Sequence, residues 1–289
     1  MPELPEVEVV KRSLEKKAQN LIIKKVKIND GNLRYKVNKY QILKLRGRRI
    51  KKIERRSKYL IFTIHKDTVM LVHLGMTGKF FFIDKMNKRF KTSFYYKLDE
   101  NKDTKFNRVI FFLQNNQKII YNDIRKFGFI KFYNSNDFEK NSHFRKLGPE
   151  PLSNKFNSKY LKNYFSNRKR TVKDILMDQK CVAGLGNIYV NEILYLSKIK
   201  PFKNVKKISN NEITKLILNT KKVLEDSIKL GGSSIKNFSS GDGKKGTFQQ
   251  FFKVYGRKGE KCTNIACDSI IQRTTISNRA TFFCEKCQK

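Results

Sequence analysis

The chain has 289 residues and a mass of 34.1 kDa, with 64 Lys+Arg against 25 Asp+Glu, a formal charge of +39 and a pI near 10.1. A hydrophobic fraction of 39% with 12% aromatics is enough for sizeable cores and excludes a wholly disordered basic tail. The longest apolar runs, 59–64 and 80–83, fall far short of the roughly 20 residues a membrane helix needs, and the acidic opening Met-Pro-Glu-Leu-Pro-Glu has no secretory apolar core, so a cytoplasmic chain is expected.

In chain order, the first segment is an amphipathic helix. Pro5 suits a first turn, where a missing N–H costs nothing, and Val7, Val10, Leu14 and Ala18 share one face. Short β-rich runs follow at 21–28, 49–53, 59–64, 69–74, 79–83, 94–98, 109–113, 118–122 and 128–133, separated by turn residues such as Gly75-Met-Thr-Gly78. Many short strands of this kind predict a sandwich or barrel. Gly148-Pro-Glu-Pro151 opens a linker, beyond which the periodicity is helical. Tyr160, Leu161, Tyr164 and Phe165 mark one helix, and Val172, Ile175 and Leu176 a second. A third begins near Asn187, after the tight Ala183-Gly-Leu-Gly186 turn. Ser209 with Glu212 is a capping box opening a long helix that stops at Gly231-Gly232. Segment 232–250, rich in Gly, Ser and Lys, reads as a loop.

The last stretch carries Cys262, Cys267, Cys284 and Cys287 as C-x4-C-x16-C-x2-C. Two knuckles joined by a hairpin can offer four thiolates to one structural Zn2+, and the module is too small to fold on a core of its own. Disulfides are disfavoured in a chain without a secretion signal. Cys181, alone in the helical region, reads as a buried small hydrophobe. The excess positive charge destabilises a compact state unless a polyanion compensates it. Nucleic acid is the partner it suits, although abundant Lys, Asn and Ile also fit an AT-rich coding sequence.

Several segments, in order, resemble bacterial formamidopyrimidine-DNA glycosylases. They are Met1-Pro-Glu-Leu-Pro-Glu-Val-Glu8, Arg55-Arg-Ser-Lys-Tyr-Leu60, His73-Leu-Gly-Met-Thr-Gly78, Asp123-Ile-Arg-Lys-Phe-Gly128, Leu147-Gly-Pro-Glu-Pro-Leu152, Gly184-Leu-Gly-Asn-Ile-Tyr189, Tyr255-Gly-Arg-Lys-Gly-Glu260 and the cysteine hairpin. The resemblance implies an α+β multidomain fold: an N-terminal β-sandwich with flanking helices, a helix–two-turns–helix domain and a C-terminal zinc finger. The corresponding ranges are 1–135, a linker over 136–158, the helical domain over 159–231, a lesion-recognition loop over 232–252 and the finger over 253–289.

The resemblance also implies chemistry. With Met1 removed, Pro2 would be the nucleophile of a glycosylase and abasic-site lyase that excises oxidised purines from duplex DNA through an iminium. An α-amino group titrates near ~7.7–8.0, below lysine, and a helix N-terminus further disfavours its cation. Glu3 would protonate the opening deoxyribose ring, with Glu6 orienting the cluster. Lys58 would act near the scissile phosphate and leaving base, and Arg279 would contact phosphate in the elimination. Met76, Arg125 and Phe127 would fill the gap left by the extruded nucleotide, Arg125 reading the orphaned cytosine. Phe127-Gly-Phe129 equally fits simple strand alternation. His73, Asn187 and Arg168 are further phosphate candidates; Lys173 and Arg170 complete a basic cluster, and Arg273 in the finger suits phosphate too. The family commonly has Lys-His-x-His where this chain has Lys105-Phe-Asn-Arg108, so Phe106 lacks one contact and Arg108 is the candidate substitute. The rival readings are an endonuclease VIII-type enzyme for oxidised pyrimidines and a non-catalytic zinc-containing DNA-binding protein. Damaged duplex DNA is the implied partner and a monomer the implied state.

Overall fold

A computed structural model of the chain describes residues 2–65, 67–92, 104–233 and 248–289. The expected strand at 94–98, and most of the expected lesion-recognition loop at 232–252, lie outside the described residues. Two compact units are present: residues 1–145 with 230–247, and residues 146–229 with 248–289.

The first unit opens with helix α1 (Leu4–Ala18), capped by Glu3 and carrying proline in its first turn. Its buried face is Leu4, Val7, Val10, Leu14 and Ala18, as the spacing predicts. Strands β1 (Ile23–Ile28), β2 (Ile50–Arg56), β3 (Tyr59–Ile64), β4 (Thr68–His73), β5 (Lys79–Ile83), β6 (Arg89–Lys91), β7 (Asn107–Leu113), β8 (Lys118–Asn122) and β9 (Phe129–Asn134) follow, with a short helix α2 (Lys39–Leu43) after β1. They form a five-stranded sheet in the order β1-β7-β8-β5-β6 and a four-stranded sheet in the order β2-β3-β4-β9, with every pairing antiparallel. One apolar cluster joins Phe80, Phe82, Phe111 and Ile119 of the first sheet to Leu60, Phe62, Met70 and Val72 of the second, and to the α1 face. That is a β-sandwich with a flanking helix; irregularities near the starts of β1 and β2 bring Ile23 with Val26, and Ile50 with Ile53, into the same core.

Two elements escaped the sequence reading. Helix α2 is five residues long and buries only Ile42, too little to show a period. Strand β6 is three residues, and its Arg89 lays a guanidinium 3.8 Å from the centroid of Phe81, where pattern alone suggests a polar turn.

The second unit is built on helices α3 (Ser158–Ser166), α4 (Val172–Met177), α5 (Asn187–Leu196) and α6 (Asn210–Lys229). Helix α5 is central, with Ile188 through Tyr195 all buried. The capping box before α6 is formed: Ser209 N–H donates to Glu212 Oε2 at 2.8 Å, and Glu212 N–H to Ser209 Oγ at 3.2 Å. The strands β10 (Ile271–Ile276) and β11 (Arg279–Cys284) form a hairpin whose two-residue turn has both Ser277 and Asn278 at positive φ. Cys181 is fully buried, and burial pushes its thiol up to about 12, so it is the unreactive small hydrophobe expected. Among the described residues no helix is long and apolar enough to cross a membrane.

Candidate DNA-processing site

The start of α1 holds two buried carboxylates. Glu3 is 4% exposed and Glu6 2%. They form a reciprocal capping box, with Glu3 N–H donating to Glu6 Oε2 at 2.9 Å. The other Glu6 oxygen accepts from Ser233 N–H at 2.8 Å and Ser233 Oγ–H at 2.9 Å. Gly231 and Gly232 both adopt positive φ just before this contact, and a Cβ on Gly232 would stand 3.1 Å from Glu6 Oε1. The helix thus ties its own first turn to Ser233, the second residue of the expected recognition loop. Pro2 immediately precedes Glu3 and is buried.

Lys58 lies in the two-residue turn between β2 and β3, with Ser57 at φ 55. It is 8% exposed, unlike a solvated lysine on an ordinary basic face. Arg55 braces this turn against α1, donating from Nε to Glu8 Oε2 at 2.8 Å and from Nη1 to the Ser57 carbonyl at 2.9 Å. Register puts His73 opposite both Tyr59 and Phe129, at the same end of the sheet as the Lys58 turn. The imidazole stacks on Phe129 with 5.6 Å between centroids and 16° between planes. Gly75 N–H donates to His73 Nδ1 at 3.0 Å, which leaves Nε2–H as the donor of the neutral ring. Burial, then the charges of Lys58, Arg34 and His143, push its pKa down to about 4, so near pH 7 His73 is a neutral hydrogen-bond donor.

The β4–β5 turn and the β8–β9 loop project from that same end. Met76 is 44% exposed and Phe127 45%, so neither is a core residue, and the alternation reading of Phe127 gives way to a projecting one. The Arg125 guanidinium sits 4.5 Å from the centroid of the Phe127 ring. Arg108 has a different employment from the one its position suggested. It is 7% exposed and donates from Nε to the Asp123 carbonyl at 2.8 Å and from Nη1 to Asp30 Oδ2 at 2.9 Å. Its guanidinium is turned into the base of the β8–β9 loop, where the Asp123 carbonyl and the Asp30 carboxylate accept from it.

In the second unit, Asn187 opens α5 and donates from Nδ2 to the Ala280 carbonyl at 2.9 Å. Arg168 caps α3, bonding the Tyr164 carbonyl with its guanidinium 3.5 Å from the Tyr164 ring centroid. Lys173 is 1% exposed and donates to the Ala280 carbonyl at 3.0 Å and to Thr281 Oγ1 at 2.6 Å. Burial, with the Arg279 charge adding to it against Asp174, pushes its pKa down to about 8. Asn191 Oδ1 accepts from Phe282 N–H at 2.8 Å. The buried Glu192 carboxylate accepts from the N–H groups of Lys253, Val254 and Tyr255 at 2.8, 3.0 and 2.8 Å. Side chains of α4 and α5 therefore grip both the entry to the hairpin and β11, while Arg273 and Arg279 stay exposed.

The four cysteine sulfurs lie within 4.8 Å of one another. Cys262–Cys287 and Cys267–Cys284 are each 3.7 Å apart, far beyond a disulfide bond. Tetrahedral zinc with Zn–S near ~2.3 Å sets sulfurs about 3.8 Å apart, so this donor set fits such an ion. Tyr195 Oη and Asn264 Nδ2 lie 3.1 and 3.4 Å from Cys262 and Cys287 sulfurs, the outer hydrogen bonding that thiolate sites use. The C-x4-C knuckle therefore closes without difficulty.

The sequence reading missed Asp123, Thr77, Glu192 and Ser233. An acid at the end of an apolar strand, as in Tyr121-Asn-Asp123, is the one signal that could have found the first.

Comparison with known proteins agrees with this layout. Residues 1–130 match the family model described as the formamidopyrimidine-DNA glycosylase N-terminal domain, and residues 147–239 that of its H2TH domain. A formamidopyrimidine-DNA glycosylase of Rickettsia bellii is 42% identical over 289 residues, covering all of both chains, and that of Roseobacter denitrificans is 37% identical over the same span. A Lactococcus lactis Fpg mutant in complex with Fapy-dG-containing DNA superposes with a TM-score of 0.85 at 34% identity, covering all of both chains. The same organism's Fpg bound to abasic-site DNA gives 0.84 at 33% identity, with 99% of each chain covered. With its two matched segments, its full-length relatives and its sandwich, helices and cysteine hairpin in that order, the chain belongs to the formamidopyrimidine-DNA glycosylase family.

Proposed function

We propose that this chain excises oxidised purines, 8-oxoguanine opposite cytosine and formamidopyrimidines, from duplex DNA and then cleaves the strand as an abasic-site lyase. The carrying observation is that one end of the four-stranded sheet gathers the buried Lys58 turn, His73 and the exposed Met76, Arg125 and Phe127, in a unit whose first helix opens on Pro2, Glu3 and Glu6. The Lactococcus Fpg complexes with Fapy-dG and abasic-site DNA support the substrate class.

In this reading the Pro2 secondary amine, freed by removal of Met1, attacks C1′ of the extruded nucleoside. The N–C1′ bond forms as the glycosidic bond breaks, the base leaves with the electron pair and takes up the proton that the Pro2 nitrogen loses, and Glu3 gives a proton to O4′ as the sugar ring opens to an iminium. Loss of the C2′ proton then expels the 3′ phosphate, and a second elimination expels the 5′ phosphate. Glu6, bonded to Glu3 N–H and to Ser233, holds the acid's backbone in place. Lys58, His73 as a neutral Nε2–H donor, Asn187, Arg168 and Arg279 serve the phosphates. Arg108 acts through the β8–β9 loop it braces and not as a direct contact. Cys262, Cys267, Cys284 and Cys287 would hold one Zn2+, whose task is to rigidify the mount of Arg279. The protein works as a monomer.

Borohydride trapping on duplex DNA with 8-oxoguanine opposite cytosine tests the reading. Wild type forms a covalent adduct and Pro2→Gly does not. Robust trapping by Pro2→Gly would remove the nucleophile, and preferential incision of oxidised pyrimidines would move the chain to the endonuclease VIII type. Salt-sensitive binding with no adduct from either protein would leave only a DNA-binding role.

A further inference from the structure

We propose that Asp123 and Thr77 form one positioning device that fixes the β4–β5 turn and the β8–β9 loop to each other, so that Met76, Arg125 and Phe127 enter a duplex as a preset unit. This inference rests on the function proposed above.

The connection is physical and complete. Asp123 is fully buried at the end of β8. Its Oδ1 accepts from Thr77 Oγ–H, in the turn that carries Met76. Its Oδ2 accepts from Gly128 N–H at 2.9 Å and from the Tyr121 hydroxyl at 3.3 Å, closing the loop that carries Arg125 and Phe127. The Thr77 oxygen, with its proton given to Asp123, accepts from Arg125 N–H at 3.0 Å. One hydroxyl of the β4–β5 turn therefore makes two bonds to the β8–β9 loop. Arg108 secures the base from the other side, donating to the carbonyls of Asp123 and Ile124 at 2.8 and 3.4 Å. Tyr121 is buried beside this carboxylate; burial, then the Asp123 charge, raises its pKa well above the usual phenol value and keeps it a donor.

The backbones are also in contact. A Cβ on Gly75, at φ 60, would fall 2.4 Å from the Phe127 carbonyl carbon. A Cβ on Gly128 would fall 1.9 Å from Tyr121 Oη and 2.6 Å from the His73 carbonyl oxygen. Only glycine permits this approach at both places. The two loops thus behave as one body with three exposed tips.

The arrangement has a purpose in extrusion. Filling a vacated stack from two loops costs the ordering of both, and ordering them beforehand removes that cost from the step that expels the base. Asp123 and Thr77 touch no reacting atom; they act through the residues they hold. A connected buried network of this kind loses more than one bond when one member is removed.

The variant to make is Thr77→Val, nearly isosteric at a half-buried site, with Thr77→Ser as the rescue and Asp123→Asn as a second lesion in the network, since its amide must present N–H groups to at least one donor. Single-turnover excision of 8-oxoguanine from a duplex, strand cleavage of a duplex with a preformed abasic site, and 2-aminopurine fluorescence next to the lesion are measured on the full chain. Thr77→Val should slow excision about 30-fold, cut abasic-site cleavage less than about 3-fold and delay the fluorescence rise, with Thr77→Ser close to wild type. Equal loss on both substrates, or excision at the wild-type rate, overturns the device. Failure of the wild type itself to excise the base would instead overturn the proposed function, so the two failures are distinct.

Discussion

The projecting loops of the sandwich unit and the cysteine hairpin of the helical unit solve the same problem by different means. Each must hold exposed side chains steady above a small footprint. The loops do so with a buried carboxylate that collects a hydroxyl, a phenol and an amide N–H, and with two glycines that let backbones touch. The hairpin relies on four gathered thiols and on side chains of α4 and α5 that hold its entry and its second strand. A sandwich core lies directly under the loops, whereas among the described residues the hairpin packs on the smaller cluster of Tyr195, Val254, Ile271, Phe282 and the cysteines. Where burial is ample, hydrogen bonds suffice; where it is scarce, the chain adds a cluster of four thiols, a donor set that fits a metal ion.

That contrast can be broken at either region. The largest effect is expected from metal removal. Chelation, or Cys284→Ser, should lower duplex affinity by at least about 1,000-fold while leaving the sandwich folded, because thiolate–metal bonds would contribute folding energy to the hairpin alone; gel-shift titration alongside hydrogen exchange of 2–145 checks it. Protection lost across the sandwich would deny the contrast. Next comes Gly128→Ala, whose methyl collides with Tyr121 Oη and the His73 carbonyl. It should cost about 3 kcal/mol in denaturant unfolding of the first unit, with zinc content unchanged.

A smaller effect concerns pH. His73 has its pKa pushed from 6.5 down to about 4, chiefly by burial. Between those values the unfolded chain binds a proton that the folded chain refuses, so stability is full above pH 6.5 and falls as pH drops toward 4. His73→Gln should flatten the stability difference between pH 7 and pH 5 by roughly 2 kcal/mol. Some slope should remain, since burial lowers the pKa of His143 in the same direction. An unaltered slope would mean that the ring is not neutral by burial. Smallest is Lys173→Met, which keeps the stem but loses the bonds to Ala280 and Thr281. It should cost about 1 kcal/mol, leave the four cysteines able to bind zinc and slow strand cleavage more than base excision, because Arg279 adjoins the Ala280 carbonyl, which keeps only its bond from Asn187. Base excision slowed as much as cleavage would count against that division.

Much of the architecture was legible because it rests on local rules. The buried face of α1 follows a 3.6-residue period, β5 and β8 span 79–83 and 118–122 as their apolar runs predict, and Ser209–Glu212 is a cap readable from four residues. The cysteine spacing announced its cluster for the same reason. Arg108 and Lys173 were not legible in this way. In a chain with 64 basic residues, a cation that is turned inward looks like any other until its acceptors are known. Met76 and Phe127 had the opposite ambiguity, since an apolar residue in a strand-rich region reads as core unless its exposure is seen.

By itself, then, the sequence determined the succession of strands, helices and cysteine hairpin, which depends on periodicity, caps and spacing that act over a few residues; the residues for amine, carboxylate and phosphate chemistry were named by the resemblance of its ordered segments to a known family. Tertiary structure alone decided that Asp123 joins two loops separated by 46 positions, that Glu6 reaches Ser233 across 227, and that Lys173 serves a carbonyl 107 residues away. A buried polar atom must find a partner wherever the fold brings one, and no local pattern records which segment that will be.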